Sequence, residues 1–151
     1  MVISNFCLKK INMLQRSQTV WLLLAAVCGF LTLKFPFFTG NKLDPTNVSA
    51  FTKLIASSSI IILILTVAVF IAALISIFLY KNRKLQLRIT IINLLVSVLT
   101  IFLYYLETKK FVNGDFSVTV ILSIAIPIFL LLAARGIYKD EKLVKSMDRL
   151  R

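Results

Sequence analysis

The chain has 151 residues, of which 59% are hydrophobic and only 16% charged. A soluble domain is nearer a quarter charged, and one of this size cannot hide so much apolar surface, so lipid is the expected solvent for most of the chain. Eighteen Lys and Arg against six Asp and Glu give a net charge of +12 with no His at all; in a membrane chain that excess reads as loop charge setting orientation rather than a nucleic-acid partner, and the missing imidazole removes the commonest general base and metal ligand.

Residues 1–18 form a polar N-terminal segment. Asn5, Lys9, Asn12 and Arg16 share one helical face while Ile3, Phe6 and Leu14 lie elsewhere, as in a short interfacial helix. The first apolar run, 20–38, carries WLLLAAVCGFLTL and then Lys34, whose long stem lets its ammonium reach the membrane surface. No small-x-small cleavage site follows, and Val27 precedes Cys28, so the run is expected to remain a span rather than a cleaved signal. Cys7 and Cys28 are the only thiols, giving no zinc spacing and no disulfide framework; Cys28 is expected to pack as a small hydrophobe.

The second run, 54–80, has 27 residues and therefore has to tilt or project beyond the hydrocarbon. Ala68, Ala72 and Ser76 recur every four residues along it, as Ala25 and Gly29 do in the first run, and such small-residue stripes are read as packing faces for a helix of the bundle or of a partner. Before it, Asn47-Val48-Ser49 has the form of a glycosylation acceptor, of consequence only in a secretory-pathway organism. The middle loop carries Lys81, Arg83, Lys84 and Arg88.

The third run, 89–106, holds Asn93, Ser97 and Thr100 on one helical side. This polar track has two readings, a lining for a transported molecule or, the favoured one, interhelical hydrogen bonding of the kind that joins membrane helices. Glu107, Lys109 and Lys110 follow as a charged cluster read as solvated interface charge. The fourth run, 118–138, contains Pro127, which leaves the Ser123 carbonyl without its usual donor and predicts a kink. The tail, 139–151, places Leu143, Met147 and Leu150 at helical spacing with Glu141 four before Lys145, a short amphipathic helix that anchors on anionic lipid or docks a protein.

In lipid every backbone group is satisfied within its own segment, so the four runs are expected to be helices despite stretches as Ile-rich as SIIILILTV. Thirteen of the eighteen basic residues fall in the N-terminal segment, the middle loop and the tail, which places both termini in the cytoplasm. Trp21, Tyr80 and Tyr138 at the inner ends, and Tyr104 and Tyr105 at an outer end, agree with that orientation. The expected fold is an all-α integral membrane four-helix bundle, N-in and C-in, with short amphipathic cytoplasmic ends and a four-span domain over 19–138.

No carboxylate lies at mid-depth, and no nucleophile with a base, Gly-rich phosphate loop or metal constellation occurs in the sequence. The expectation is a protein that is not an enzyme and uses no cofactor and no metal. The stretches MLQRSQTVWLLLAA (Met13 to Ala26), YKNRKLQLR (Tyr80 to Arg88) and KDEKLVKSMDRLR (Lys139 to Arg151) resemble the small four-span membrane proteins of Bacteroidota grouped as domain-of-unknown-function family 4293. The resemblance runs from Met13 to Arg151 and implies an inner-membrane protein of such a bacterium. Members tend to begin at the position of Met13, so the resemblance implies that residues 1–12 are either an extension or a misassigned start.

The resemblance draws attention to Gln15, Arg16, Gln18 and Thr19 before the first span, and to Asp148, Arg149 and Arg151 in the tail. All are expected on the cytoplasmic side, where Arg16 or Arg83 paired with Asp148 would form a cap on the bundle. The leading expectation is a non-enzymatic accessory or scaffold subunit of a larger inner-membrane assembly, in contact with membrane lipids and with a membrane-protein partner or further copies of itself, and not with nucleic acid. The alternative is a lipid- or small-molecule-binding protein or minimal oligomeric transporter, with Asn93, Ser97, Thr100, Ser123 and Pro127 lining a cavity.

Overall fold

Among the described residues four α-helices, two short 3-10 turns and one small sheet are formed: α1 (Val2–Lys34), β1 (Phe38–Leu43), β2 (Ser49–Leu54), α2 (Ile60–Phe78), α3 (Arg83–Thr108), β3 (Phe111–Phe116) and α4 (Thr119–Asp148), with the turns at Ala56–Ser58 and Leu79–Lys81. The computed structural model describes the backbone of residues 2–43 and 49–148, and the side chains of 18–41, 51–80, 82–111 and 113–142. The glycosylation-type triplet at Asn47 and Val48 lies outside the described residues.

The helices run up and down, with α1 beside α2, α2 beside α3, α3 beside α4 and α4 beside α1. Ile60–Phe78, Arg83–Thr108 and Thr119–Lys142 are long and apolar enough to cross a membrane, and Gln18–Lys34 of α1 is a shorter apolar stretch. Large apolar side chains such as Ile60, Ile64, Leu95, Phe102, Ile121 and Leu131 are exposed all round the outside. In water such a surface would aggregate; against lipid it is solvated.

The local sequence explains the helix ends. At α1, Pro36 disfavours the helical conformation at Phe35, and the last helical bond runs from the Phe35 amide to the Leu31 carbonyl at 3.0 Å. A tight turn over Leu79–Lys81 joins α2 to α3. The expected separate amphipathic ends are instead continuous with the spans: α1 is one 33-residue helix and α4 one 30-residue helix that passes through Pro127.

The sheet was not expected. Its order is β2-β1-β3, all antiparallel, and it covers the bundle at the end where α1 stops and α2 and α4 begin. Because Leu54 closes β2 by pairing with Phe38, the 27-residue second run is divided, and α2 keeps 19 residues. That is about 28 Å of helix, matched to the roughly 30 Å hydrocarbon thickness without the extra tilt the longer run required. Gly40 and Gly114 face each other across β1 and β3, where a Cβ on Gly40 would stand 2.8 Å from the Gly114 Cα and collide with the Asn113 carbonyl. The strands approach this closely because neither residue has a side chain.

Beneath the sheet Phe37, Phe38, Leu54, Ala56, Ile62 and Tyr104 form one core, with Phe37 stacked on Tyr104 at 4.4 Å between ring centres. Tyr104, expected at the headgroup level, is thus buried under the sheet, while Tyr105 is exposed. A second core lies deeper, among Leu22, Ala25, Cys28, Val69, Ile126, Leu130 and Ala133. There Gly29 packs against Phe70 of α2 with room for a methyl group, its hypothetical Cβ meeting Phe70 at 3.6 Å, and Ala25 is buried on the same side of α1, so the two do form a packing stripe.

Candidate functional site

The buried residues of α3 are Gln86, Thr90, Asn93, Ser97, Thr100, Tyr104 and Thr108, all polar and spaced by threes and fours. Its lipid-facing residues are Ile91, Ile92, Leu95, Val98, Leu99 and Phe102. Lipid accepts the apolar face at no cost, so the polar face turns inward, where backbone carbonyls are available. A polar column therefore runs through the bundle from the α2–α3 turn to the sheet.

Most hydroxyls in the column are satisfied locally. Thr66 donates to the Ile62 carbonyl at 2.7 Å, Thr90 to Gln86 at 2.8 Å, Ser97 to Leu94 at 2.8 Å, Thr100 to Val96 at 2.8 Å and Ser123 to Thr119 at 3.1 Å. Two amides cross between helices. The Gln86 Nε2 donates to the Ser76 carbonyl at 2.9 Å and the Asn93 Nδ2 to the Val69 carbonyl at 3.2 Å, both joining α3 to α2. Their oxygens, Gln86 Oε1 and Asn93 Oδ1, are buried without a hydrogen-bond partner.

Asn93, Ser97 and Thr100 thus lie together on the buried side of α3, as their spacing indicated, but they do not share one cavity. Ser97 and Thr100 join Thr32, Thr66, Tyr104 and Ser123 around a space of about 20 Å³. That volume holds about one water molecule. Asn93 instead lines a hollow of about 210 Å³ on the outer seam between α2 and α3, with Ala68, Ala72, Ile89, Ile92 and Val96.

The Ala68, Ala72 and Ser76 stripe is not one packing face inside the bundle. Ser76 is fully buried and donates to the Ala72 carbonyl at 2.8 Å, Ala72 is half-buried, and Ala68 is exposed on that seam. A repeat of four drifts around a helix of 3.6 residues per turn, so the stripe passes from the core to the surface.

At the turn end, three helices meet through side chains. The Gln18 Nε2 donates to Asp140 Oδ2 at 2.6 Å, and the Arg83 Nη1 donates to the Gln18 Oε1 at 3.1 Å while standing 3.6 Å from Asp140 Oδ2. Gln18 and Asp140 are buried, and the Arg83 side chain is 20% exposed. Gly136 makes room, since a Cβ there would stand 2.8 Å from the Gln18 Cγ. The described carboxylate beside Arg83 is Asp140, and the expected pairing with Asp148 falls outside the described residues. The side chains of Gln15, Arg16, Asp148, Arg149 and Arg151 lie outside the described residues.

Extending the inward period of each helix would have found the clamp. Ile126, Leu130, Ala133 and Ile137 lead by threes and fours to Asp140, and Thr32, Ala25 and Leu22 lead back to Gln18. Among the described residues no three His, Cys, Asp or Glu side chains come together as metal ligands would.

A sequence model of the family described as a domain of unknown function (DUF4293) matches residues 14–150, almost the whole chain. The chain belongs to this family. Comparison with curated proteins finds no match.

Proposed function

We propose that this member of the family is a non-enzymatic, multi-pass protein of the inner membrane of a Bacteroidota bacterium, both termini cytoplasmic, serving as an accessory or scaffold subunit of a larger membrane assembly. The observation that carries the reading is how the polar interior is used. Gln18, Arg83 and Asp140 tie three helices together, Gln86 and Asn93 tie α3 to α2, and the hydroxyls bond back to their own helices. Groups committed to holding helices in place are not free to act on a substrate, and a space of about 20 Å³ does not pass a metabolite.

Orientation rests on charge. Lys84, Arg88, Arg135, Lys139 and Lys142 are exposed at the turn end, against Lys34, Lys53, Lys109 and Lys110 at the sheet end; together with Lys9, Lys10 and Arg16 before the first span, this bias supports a cytoplasmic turn end. Gentle detergent extraction of the tagged protein at native expression, followed by native mass spectrometry, tests the role. A stoichiometric companion protein is expected. The protein alone, or a homo-oligomer holding a defined metabolite, would replace this reading with small-molecule handling.

A further inference from the structure

On the outside of the bundle the seam between α2 and α3 stays open. Ile61, Ala68 and Ala72 share one face of α2, and Ile92, Val96 and Leu103 share the facing side of α3. Two hollows lie along this line: the one over Ala68 and Ala72, and a second of about 260 Å³ near the sheet, walled by Ile61, Ile62, Leu103 and Leu106. The second also has a polar lining, made by Ser59, Glu107 and Lys110.

The polar end holds both charges. The Lys110 Nζ is 2.7 Å from the Glu107 Oε1, and the two side chains are 58% and 26% exposed. Beside them α2 begins at Ile60 with no side-chain cap from Ser59, so its first-turn amides add partial positive charge. From Ile61 to Ala72 is eleven residues, about 16 Å of helix. That is half the roughly 30 Å hydrocarbon thickness, the depth reached by one acyl chain from one leaflet.

We propose that this seam binds one membrane phospholipid with a zwitterionic phosphoethanolamine headgroup. Its phosphate lies against Lys110 and the first turn of α2, its ammonium against Glu107, and one acyl chain runs down the trough over Ala68 and Ala72. A primary ammonium donates hydrogen bonds to a carboxylate, which a quaternary choline does not. A headgroup with net negative charge would leave Glu107 repelled rather than paired. The small side chains at 68 and 72 provide the depth an acyl chain needs. The site requires only that the helices sit in a bilayer and is independent of any accessory role.

Native mass spectrometry of the full chain released from nanodiscs with equal dioleoyl phosphatidylethanolamine, phosphatidylcholine and phosphatidylglycerol tests the site. One retained phosphatidylethanolamine per chain is expected, favoured about tenfold over each competitor. Glu107→Gln should abolish the preference over phosphatidylcholine, and Lys110→Gln should weaken retention of all three. Ala68→Phe fills the trough from an exposed position and should remove the bound lipid with the melting temperature in lipid-free detergent unchanged. Equal retention of the three lipids, or indifference to Glu107→Gln and Ala68→Phe, would overturn the proposal. So would a dimer that Ala68→Phe dissociates, because a second copy would then occupy the seam.

Discussion

Gln18 on α1 and Asp140 on α4 stand 122 positions apart in sequence and share a 2.6 Å hydrogen bond, with Arg83 of α3 closing the triangle. This clamp joins the helix that opens the bundle to the one that completes it. Asp140→Ala leaves the Gln18 amide without its acceptor and the Arg83 guanidinium without its counter-charge, and a loss of about 2–4 kcal/mol is expected, below the full cost of breaking a buried pair because Arg83 is partly exposed. Gln18→Ala should cost roughly 1–3 kcal/mol. Reversible unfolding in mixed micelles measures both, and additive losses in the double variant would mean that the two groups are not coupled.

The glycines separate by what a methyl group would meet. Gly114→Ala drives a Cβ into the Thr39 carbonyl, within 2.6 Å of the buried Phe38 ring and within 2.7 Å of the Gly40 Cα, so the paired backbone itself has to shift. A loss of roughly 1–3 kcal/mol is expected. Gly29→Ala places its Cβ 3.6 Å from Phe70, an ordinary contact within a helix, and should match or exceed wild-type stability by up to about 1 kcal/mol. Thermal melting of the two variants side by side decides the matter, and equal losses would be the contrary result.

Asn93 is a mild rather than a strong tie. Its one interhelical bond is to the Val69 carbonyl, an acceptor available to the α2 ladder in any case, while its own oxygen is buried without a donor. Asn93→Leu is expected to change stability by less than about 1 kcal/mol in either direction, since a lost bond and a removed orphan acceptor offset each other. A loss of several kcal/mol would show that Asn93 Oδ1 has a partner in the membrane.

Phe37 fastens the sheet to the bundle through its stack on Tyr104. Phe37→Ala should cost about 3–5 kcal/mol and weaken the near-ultraviolet circular dichroism of Tyr104. Amide exchange should rise first in Phe38–Leu43, with α4 still protected. Loss of protection in all elements at once would mean that the sheet and helices unfold as one unit.

Topology has a direct readout. With Cys7 and Cys28 replaced by Ser, Lys84→Cys at the turn end and Lys109→Cys at the sheet end should react with a membrane-impermeant maleimide from opposite faces of the membrane. The proposed orientation predicts reaction of Lys84→Cys from the cytoplasmic face. Labelling of both from one face, or the reverse order, contradicts it.

The helices were legible because a lipid-spanning segment must be long, apolar and internally bonded, and those demands act on contiguous residues such as 60–78 and 89–106. The inward direction of Asn93, Ser97 and Thr100 was legible from spacing on one helix. The sheet was not. FTGNKL and SAFTKL are short, mixed segments beside apolar runs, and what makes them strands is pairing with each other and with FVNGDF, roughly seventy residues away.

The amino-acid sequence by itself determined a membrane bundle of four helices with an uneven distribution of positive charge and a polar face on α3, because these follow from local composition and period. The tertiary structure alone decided that Asp140 meets Gln18 and Arg83, that Tyr104 lies beneath a sheet, and that Ala68 opens onto a trough. Each depends on which distant segment arrives beside it, and helical spacing specifies a residue's direction without specifying its neighbour.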